Sequence, residues 1–258
     1  MNNDLRNICS WCCKNSLLIN ADKTKLLLIG VPQRLRHLNS TVSINVLGKR
    51  IDSVLVAKDL GVFVDQSLTY NEHINKTVSK CMHKLIQINR IKHLLDTKTL
   101  KLLINSFVFS KLYYGSTIWS NTSKHNIKKL QLVQNFGARI VLGLKKFDHI
   151  SEGLKSLNWL SVKNSLYIKD AVMVFKCINN LVPDYLKEKF VLRSTIHSRN
   201  TRSVCDNNLE IPKYRLATGQ RSFAYRGCKL WNNLNRDIRE SNNISQFKKK
   251  IINTLCSK

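Results

Sequence analysis

Apolar residues recur at helical spacing from the first few positions of the chain. The stretch Trp11 to Gly30, WCCKNSLLINADKTKLLLIG, reads as the end of that helix, a turn and a buried strand over Lys25 to Ile29. Leu35 to Ser40 reads as a polar connector. Val42, Ile44 and Val46 then alternate with Ser43 and Asn45, the period of a half-buried strand. Gly48 supplies a turn. The strand pattern resumes over Val54 to Ala57 and Leu60 to Val64, around KDLG, so residues 25–65 make a small β-rich unit.

A 3.5 to 3.6 period takes over at Ile74 and runs through Val78, Cys81, Leu85, Ile88 and Leu95 as one helix face. Lys76, Lys80 and Lys84 lie four apart on another face, with Glu72 as the one carboxylate at i±4. Asp96 and Thr97 look like the cap of a helix over Lys98 to Trp119. Asn121 to Ser123 offers the cap of the next, whose stripe is Ile127, Leu130, Gln134, Ala138 and Val141, with Gly143 closing it. A further helix runs from about Val162 to Leu181 and stops before Pro183. LRSTIHSRNTRS, residues 192–203, is basic and aperiodic and reads as a linker. Beyond it come short strand and turn signals, a helix around Phe223 to Leu234, and a last amphipathic helix, SQFKKKIINTL. The expected fold class is α+β, mostly helical: a β-rich start, a helical bundle and a small C-terminal extension.

Composition adds one strong constraint. Apolar residues make up 43% and aromatics 8% of 258 residues, enough to bury a core. Lys and Arg number 43 against 16 Asp and Glu, a formal net charge of +27, and the isoelectric point is near 10.0. A compact chain tolerates that self-repulsion best beside a polyanion, so nucleic acid is the expected partner. A membrane is not: no helix sets Trp and Phe opposite a lysine face, and Lys101 and Lys111 interrupt the most apolar stretch. The opening residues carry no apolar core after positive charges, so an intracellular protein, nuclear or cytoplasmic, is expected.

Eight cysteines in such a chain are expected to be reduced thiols. Cys9 and Cys12 form a C-x-x-C, but no second pair follows to complete four zinc ligands. Cys9, Cys12 and Cys13 share one helix face and fit small buried apolar residues instead. His73, His83 and His93 point to different faces of a helix and are not a cluster.

Backbone chemistry on nucleic acids commonly uses clustered carboxylates that hold two divalent metals about 3.5–4 Å apart. Here no two acids are adjacent or separated by a single residue, and no phosphate-loop, nucleophile-elbow or zinc-protease motif occurs. The sequence reads as a binder rather than a catalyst.

Six blocks then carry a resemblance. DLRNICSWCCKNSLLINADKTKLLLIG resembles the segment after the catalytic strand in reverse transcriptases of non-LTR retrotransposons of the Jockey, CR1 and L2 kind. VAKDLGVFVDQSLTYNEHI is similar to their primer-grip and thumb-entry segment. FSKLYYGSTIW, KLQLVQNFGARIVLG, LNWLSV and KLWNNLNRDIR resemble their C-terminal blocks, in the same order. Two departures stand out: QNFGAR where the family usually has two small residues after a basic one, and Asn235 where it usually has Pro.

The resemblance implies a palm remnant over residues 1–68, a helical thumb-like region over 69–191, and a basic linker with a C-terminal extension over 192–258. It implies that the aromatic-x-Asp-Asp pair lies upstream of this chain, which would then be inactive alone. No cofactor is expected in this chain, and Mg²⁺ is expected for the complete polymerase. The implied partner is an RNA and DNA template-primer. Lys23 aligns with the lysine proposed to protonate departing pyrophosphate, a role an ammonium can fill. Leu60 and Gly61 align with the primer grip, where a glycine lets backbone approach a strand end. Lys76, Lys80 and Lys84 are the expected phosphate contacts. The other reading is an independent basic nucleic-acid-binding module with no polymerase role.

Overall fold

A computed structural model describes residues 2–38, 42–196 and 207–256. The chain is mostly helical with a few short strands, the α+β class its patterning predicts, and it divides into two compact units at His73/Ile74.

The first unit opens with helix α1, Asn2–Lys14. Strand β1, Leu26–Leu27, follows a turn. Helix α2, Pro32–Leu38, takes in the first four residues of the expected polar connector, whose last two fall outside the described residues. A proline at the first helical position is pre-set for helix, and Leu35 is buried and anchors it; seven residues are too few to show a period. Strands β2, Ser43–Val46, and β3, Lys49–Val54, form an antiparallel hairpin in the register Val46↔Lys49 and Ile44↔Ile51. Leu47 and Gly48 turn it with left-handed φ of 51° and 80°, as a two-residue hairpin requires. Strand β3 was not evident from the pattern because Ile51 is its one buried residue among exposed Lys49, Arg50 and Asp52. β1 joins β3 in parallel, Leu26↔Ser53 and Leu27↔Val54, giving the order β1-β3-β2.

Ile44, Val46 and Ile51 form this unit's core, covered by Leu5 and Cys9 of α1 and by Ile19, Ala21 and Leu26. No residue of α1 is buried, which corrects the expectation for its cysteines. Cys9 reaches the sheet, but Cys13, in the last turn, stays exposed. A second hairpin pairs β4, Val56–Asp59, with β5, Val62–Asp65.

Helix α3, Asn71–Ile91, leads into the second unit. Ile74, Cys81, Leu85 and Ile88 are buried along its predicted face; Val78 is half-buried and Leu95 lies beyond the helix. Asp96 caps α4, Thr97–Ile104, by accepting from the Thr99 N–H at 3.1 Å. The continuous helix expected to Trp119 is broken. A π-helical turn, Asn105–Phe109, precedes α5, Ser110–Leu112, and Gly115 at φ 58° separates it from α6, Ser116–Trp119. The Trp119 indole donates to the Tyr114 carbonyl at 2.8 Å and closes that break.

Helix α7, Lys124–Leu142, is capped by Ser123 and ends at left-handed Gly143, as expected. Its buried face carries Leu130, Gln134, Ala138 and Val141. At Gly137 a Cβ would sit 3.3 Å from Ile104 and 3.5 Å from Leu85, so helices α3, α4 and α7 meet on a missing side chain. Helix α8, Ser151–Ser156, is short. Helix α9, Val162–Ile178, begins where the Gln131 side chain accepts from the Val162 N–H at 2.8 Å.

After α10, Asp184–Lys187, Leu192 bridges to Leu209, and Arg193 pairs with Glu210. Residues 197–203 of the expected linker fall outside the described residues. Helices α11, Ala217–Gln220, α12, Phe223–Asn232, α13, Arg236–Arg239, and α14, Ile244–Cys256, complete the chain. Their buried residues share one core with α9, in which Phe247 packs between Phe175 and Trp231 at ring distances of 4.5 and 6.0 Å.

Candidate nucleic-acid interface

Each candidate from the sequence occupies a definable local structure. Lys23 is exposed in the turn before β1. The Asn20 side chain accepts from its N–H at 3.1 Å, and the Asn20 carbonyl accepts from the Thr24 hydroxyl at 2.9 Å, which fixes the turn. Next to it Asp22 pairs with Lys49 of β3. That hydrogen bond and the lysine charge hold the Asp22 carboxyl below its ordinary range. Lys23 is left pointing its charge at solvent from a pinned backbone.

Leu60 and Gly61 are the two central residues of the β4–β5 hairpin, with φ of 42° and 91°. Only a glycine adopts the second value without strain. Leu60 is 86% exposed and Gly61 is exposed beside it, so the hairpin tip presents an apolar side chain next to a residue that has none. The hairpin is held from below. The buried His73 ring accepts from the Phe63 N–H through Nδ1 at 3.4 Å, and the Lys58 ammonium lies 5.8 Å from the Phe63 ring centre.

Asp65 is the organiser that the sequence reading passed over. Its carboxylate accepts from the N–H groups of Ser67 at 3.1 Å, Thr69 at 3.0 Å and Tyr70 at 2.6 Å. Those bonds shape the loop that turns the chain from β5 into α3, where Leu68 and Tyr70 both take positive φ. The signal in the sequence was an acid at a strand end followed by a polar loop and a helix.

On α3, Lys76 and Lys80 are exposed and Lys84 is half-buried, on a face other than that of Ile74, Cys81 and Leu85. Lys84 donates to the side chain of Gln87, a neutral partner, at 3.0 Å. The structure thus brings three cationic groups onto successive turns of one helix, while Leu60 and Gly61 share one turn and Lys23 sits in another. His83 is exposed and His73 is buried, and they belong to no common site.

Among the described residues no three His, Cys, Asp or Glu side chains lie close enough to hold a metal ion. No helix among the described residues is long and apolar enough to cross a membrane.

The second unit also contains a polar knot that periodicity did not reveal. Asp170, on the apolar helix α9, is buried; its Oδ2 accepts from Arg226 at 2.8 Å and from the Ser120 hydroxyl at 2.7 Å. Arg226 also donates to the carbonyl of Thr117 at 2.8 Å and to that of Arg221 at 3.1 Å. Oδ1 of Asp170 has no partner among the described residues. Burial therefore pushes the Asp170 carboxyl up despite the guanidinium beside it.

Compared with known proteins, the chain is 28% identical over 141 residues to a probable RNA-directed DNA polymerase from transposon BS of Drosophila melanogaster. The likeness is to a transposon reverse transcriptase. It covers 53% of this chain and 15% of that protein, so the chain spans a small part of the relative it matches. At that level the resemblance carried by the six sequence blocks is borne out. No family model matches the chain, and no solved structure matches it.

Proposed function

We propose that this chain is the C-terminal part of a non-LTR retrotransposon reverse transcriptase, of the Jockey, CR1 and L2 kind, and that it holds template-primer nucleic acid without itself supplying the catalytic aspartates. The observation that carries the reading is the lysine row Lys76, Lys80 and Lys84 on a helix whose opposite face is buried. One face anchors the helix, and the other presents its lysines toward a phosphate backbone. The net charge of +27 and the likeness to a transposon polymerase support it.

In this reading the β4–β5 hairpin is the primer grip. The exposed Gly61 and the protruding Leu60 meet a strand end, and Asp65 fixes the loop that leaves the hairpin. Lys23 takes the leaving-group proton role only when an upstream palm supplies the metal-holding pair. The exposed Ile8, Trp11, Leu17 and Leu18 support a missing neighbour for the first unit.

Two assays on the purified chain test the proposal together. Primer extension with Mg²⁺ or Mn²⁺ is expected to give no incorporation, and an RNA–DNA hybrid is expected to bind with steep salt dependence. Incorporation that survives rigorous purification, or no hybrid binding at low salt, overturns it.

A further inference from the structure

Residues from the N-terminal halves of helices α7 and α9, with Leu230 of α12 and Leu255 of α14, line an open groove of about 970 Å³. Its floor is apolar, with Ile127, Leu166, Leu230 and Leu255, and the half-buried Tyr167 contributes the one aromatic ring among the described lining residues. Lys124, Lys128 and Lys163 stand on its rim, all exposed, and none has an ion pair or side-chain hydrogen bond among the described residues. Asp170 is the only acid lining it among those residues, and its charge is taken by Arg226. Ser120, Thr122, Gln131, Ser161 and Asn164 add neutral polar groups to the lining, so the groove combines an apolar floor with an edge whose exposed charges are lysines.

We infer that this groove is a binding site for single-stranded nucleic acid, separate from the lysine row of α3. Bases lie against Tyr167 and the aliphatic floor, and phosphates meet the three rim lysines. Lys124 and Lys128 are one helical turn apart, about 6 Å along the axis, which suits successive phosphates of one strand. A polyanion with flat apolar faces matches both features of the groove, and that pairing is how proteins hold single strands without reading sequence. A cavity of this size admits a few stacked bases and excludes a duplex. A second copy of this chain, itself carrying +27, is repelled. The inference rests on the reading of the chain as a nucleic-acid binder and adds to it a second site with a different substrate form.

The test compares a fluorescein-labelled oligodeoxyadenylate with a labelled RNA–DNA hybrid hairpin by anisotropy, across a salt series. The triple variant Lys124→Gln, Lys128→Gln, Lys163→Gln is expected to weaken oligodeoxyadenylate binding about tenfold or more. It should flatten that slope of log K against log salt by about two units, at roughly 0.7 per phosphate on a single strand. Hybrid binding should change little. Tyr167→Leu, which keeps the apolar packing, should weaken oligodeoxyadenylate binding about tenfold with no change of slope, because stacking and not charge is lost. Unchanged melting curves show that the variants fold. If the groove triple leaves single-strand binding intact while hybrid binding persists, the groove inference fails and the proposed function stands. If the unaltered chain binds neither probe, both fail. If the groove lysines are needed to bind polyglutamate but not the oligonucleotide, the groove is a site for an acidic peptide and the inference is wrong.

Discussion

The side-chain amide of Asn232 holds Leu209 by both backbone groups, accepting from its N–H at 2.8 Å and donating to its carbonyl at 2.9 Å. The bonds connect positions 23 apart and make Asn232 a one-residue strand partner. They give a physical reason for the Trp-Asn pair in KLWNNLNRDIR. Trp231 is buried against Phe247 and donates to the Asn207 carbonyl at 3.0 Å, while the next residue pins the incoming chain. Asn232→Ala should cost about 2 kcal/mol, two net hydrogen bonds to backbone groups that burial leaves without water. Urea unfolding measures it. Asn232→Asp should be nearly as costly, since a carboxylate keeps the acceptor but faces the Leu209 carbonyl with no donor.

The Asp170–Arg226 pair joins α9 to α12 across 56 positions. Asp170→Ala should destabilise by about 3 kcal/mol at neutral pH, because it removes the acceptor shared by the largely buried Arg226 guanidinium and the Ser120 hydroxyl. The pH dependence has a definite sign. Burial raises the folded-state pKa of Asp170, so folding favours its protonated form. As pH falls from the raised value through the ordinary carboxylate range, the native protein gains stability from this group, and the Ala variant does not. The deficit of Asp170→Ala should therefore widen toward acid pH in denaturation curves. A deficit that shrinks on acidification contradicts the raised pKa.

Burial pushes the Cys81 and Cys228 thiols up to about 11, so neither is a thiolate at neutral pH. Cys13 is exposed at the end of α1. Brief iodoacetamide treatment of the native chain should label Cys13, and Cys81 and Cys228 should react only after denaturant is added. Peptide mass mapping distinguishes the two classes.

Much of the helical part was legible because its signals are local and redundant. The face of α3 repeats over four turns, Asp96 and Ser123 cap helices from the positions their side chains suggest, and Gly143 ends one where only a left-handed residue fits. What escaped was short or non-local. Helix α2 has one buried anchor, Leu35, and no period to detect. Strand β3 is mostly charged and owes its place to the Leu47-Gly48 turn and to partners on both sides. The break at Gly115 depends on a tryptophan reaching back to Tyr114. At the candidate interface, Leu60, Gly61 and the α3 lysines were readable from turn chemistry and spacing. The α7–α9 groove was not, because Lys124, Lys128 and Lys163 come together only through helix packing, and each alone is an ordinary surface lysine.

The central claim is that the α3 lysines, and not diffuse charge, contact the phosphate backbone. The most direct measurement is the salt dependence of RNA–DNA hybrid binding for Lys76→Gln, Lys80→Gln, Lys84→Gln. The comparison is a control triple of exposed lysines elsewhere, Lys187→Gln, Lys189→Gln, Lys249→Gln. Each phosphate contact contributes about −0.7 to −0.9 to the slope of log K against log salt. The α3 triple should flatten the slope by about two to three units and weaken binding across sequences alike, and the control should change it little. Equal losses from the two triples would contradict the account and leave the charge of +27 acting as a diffuse field.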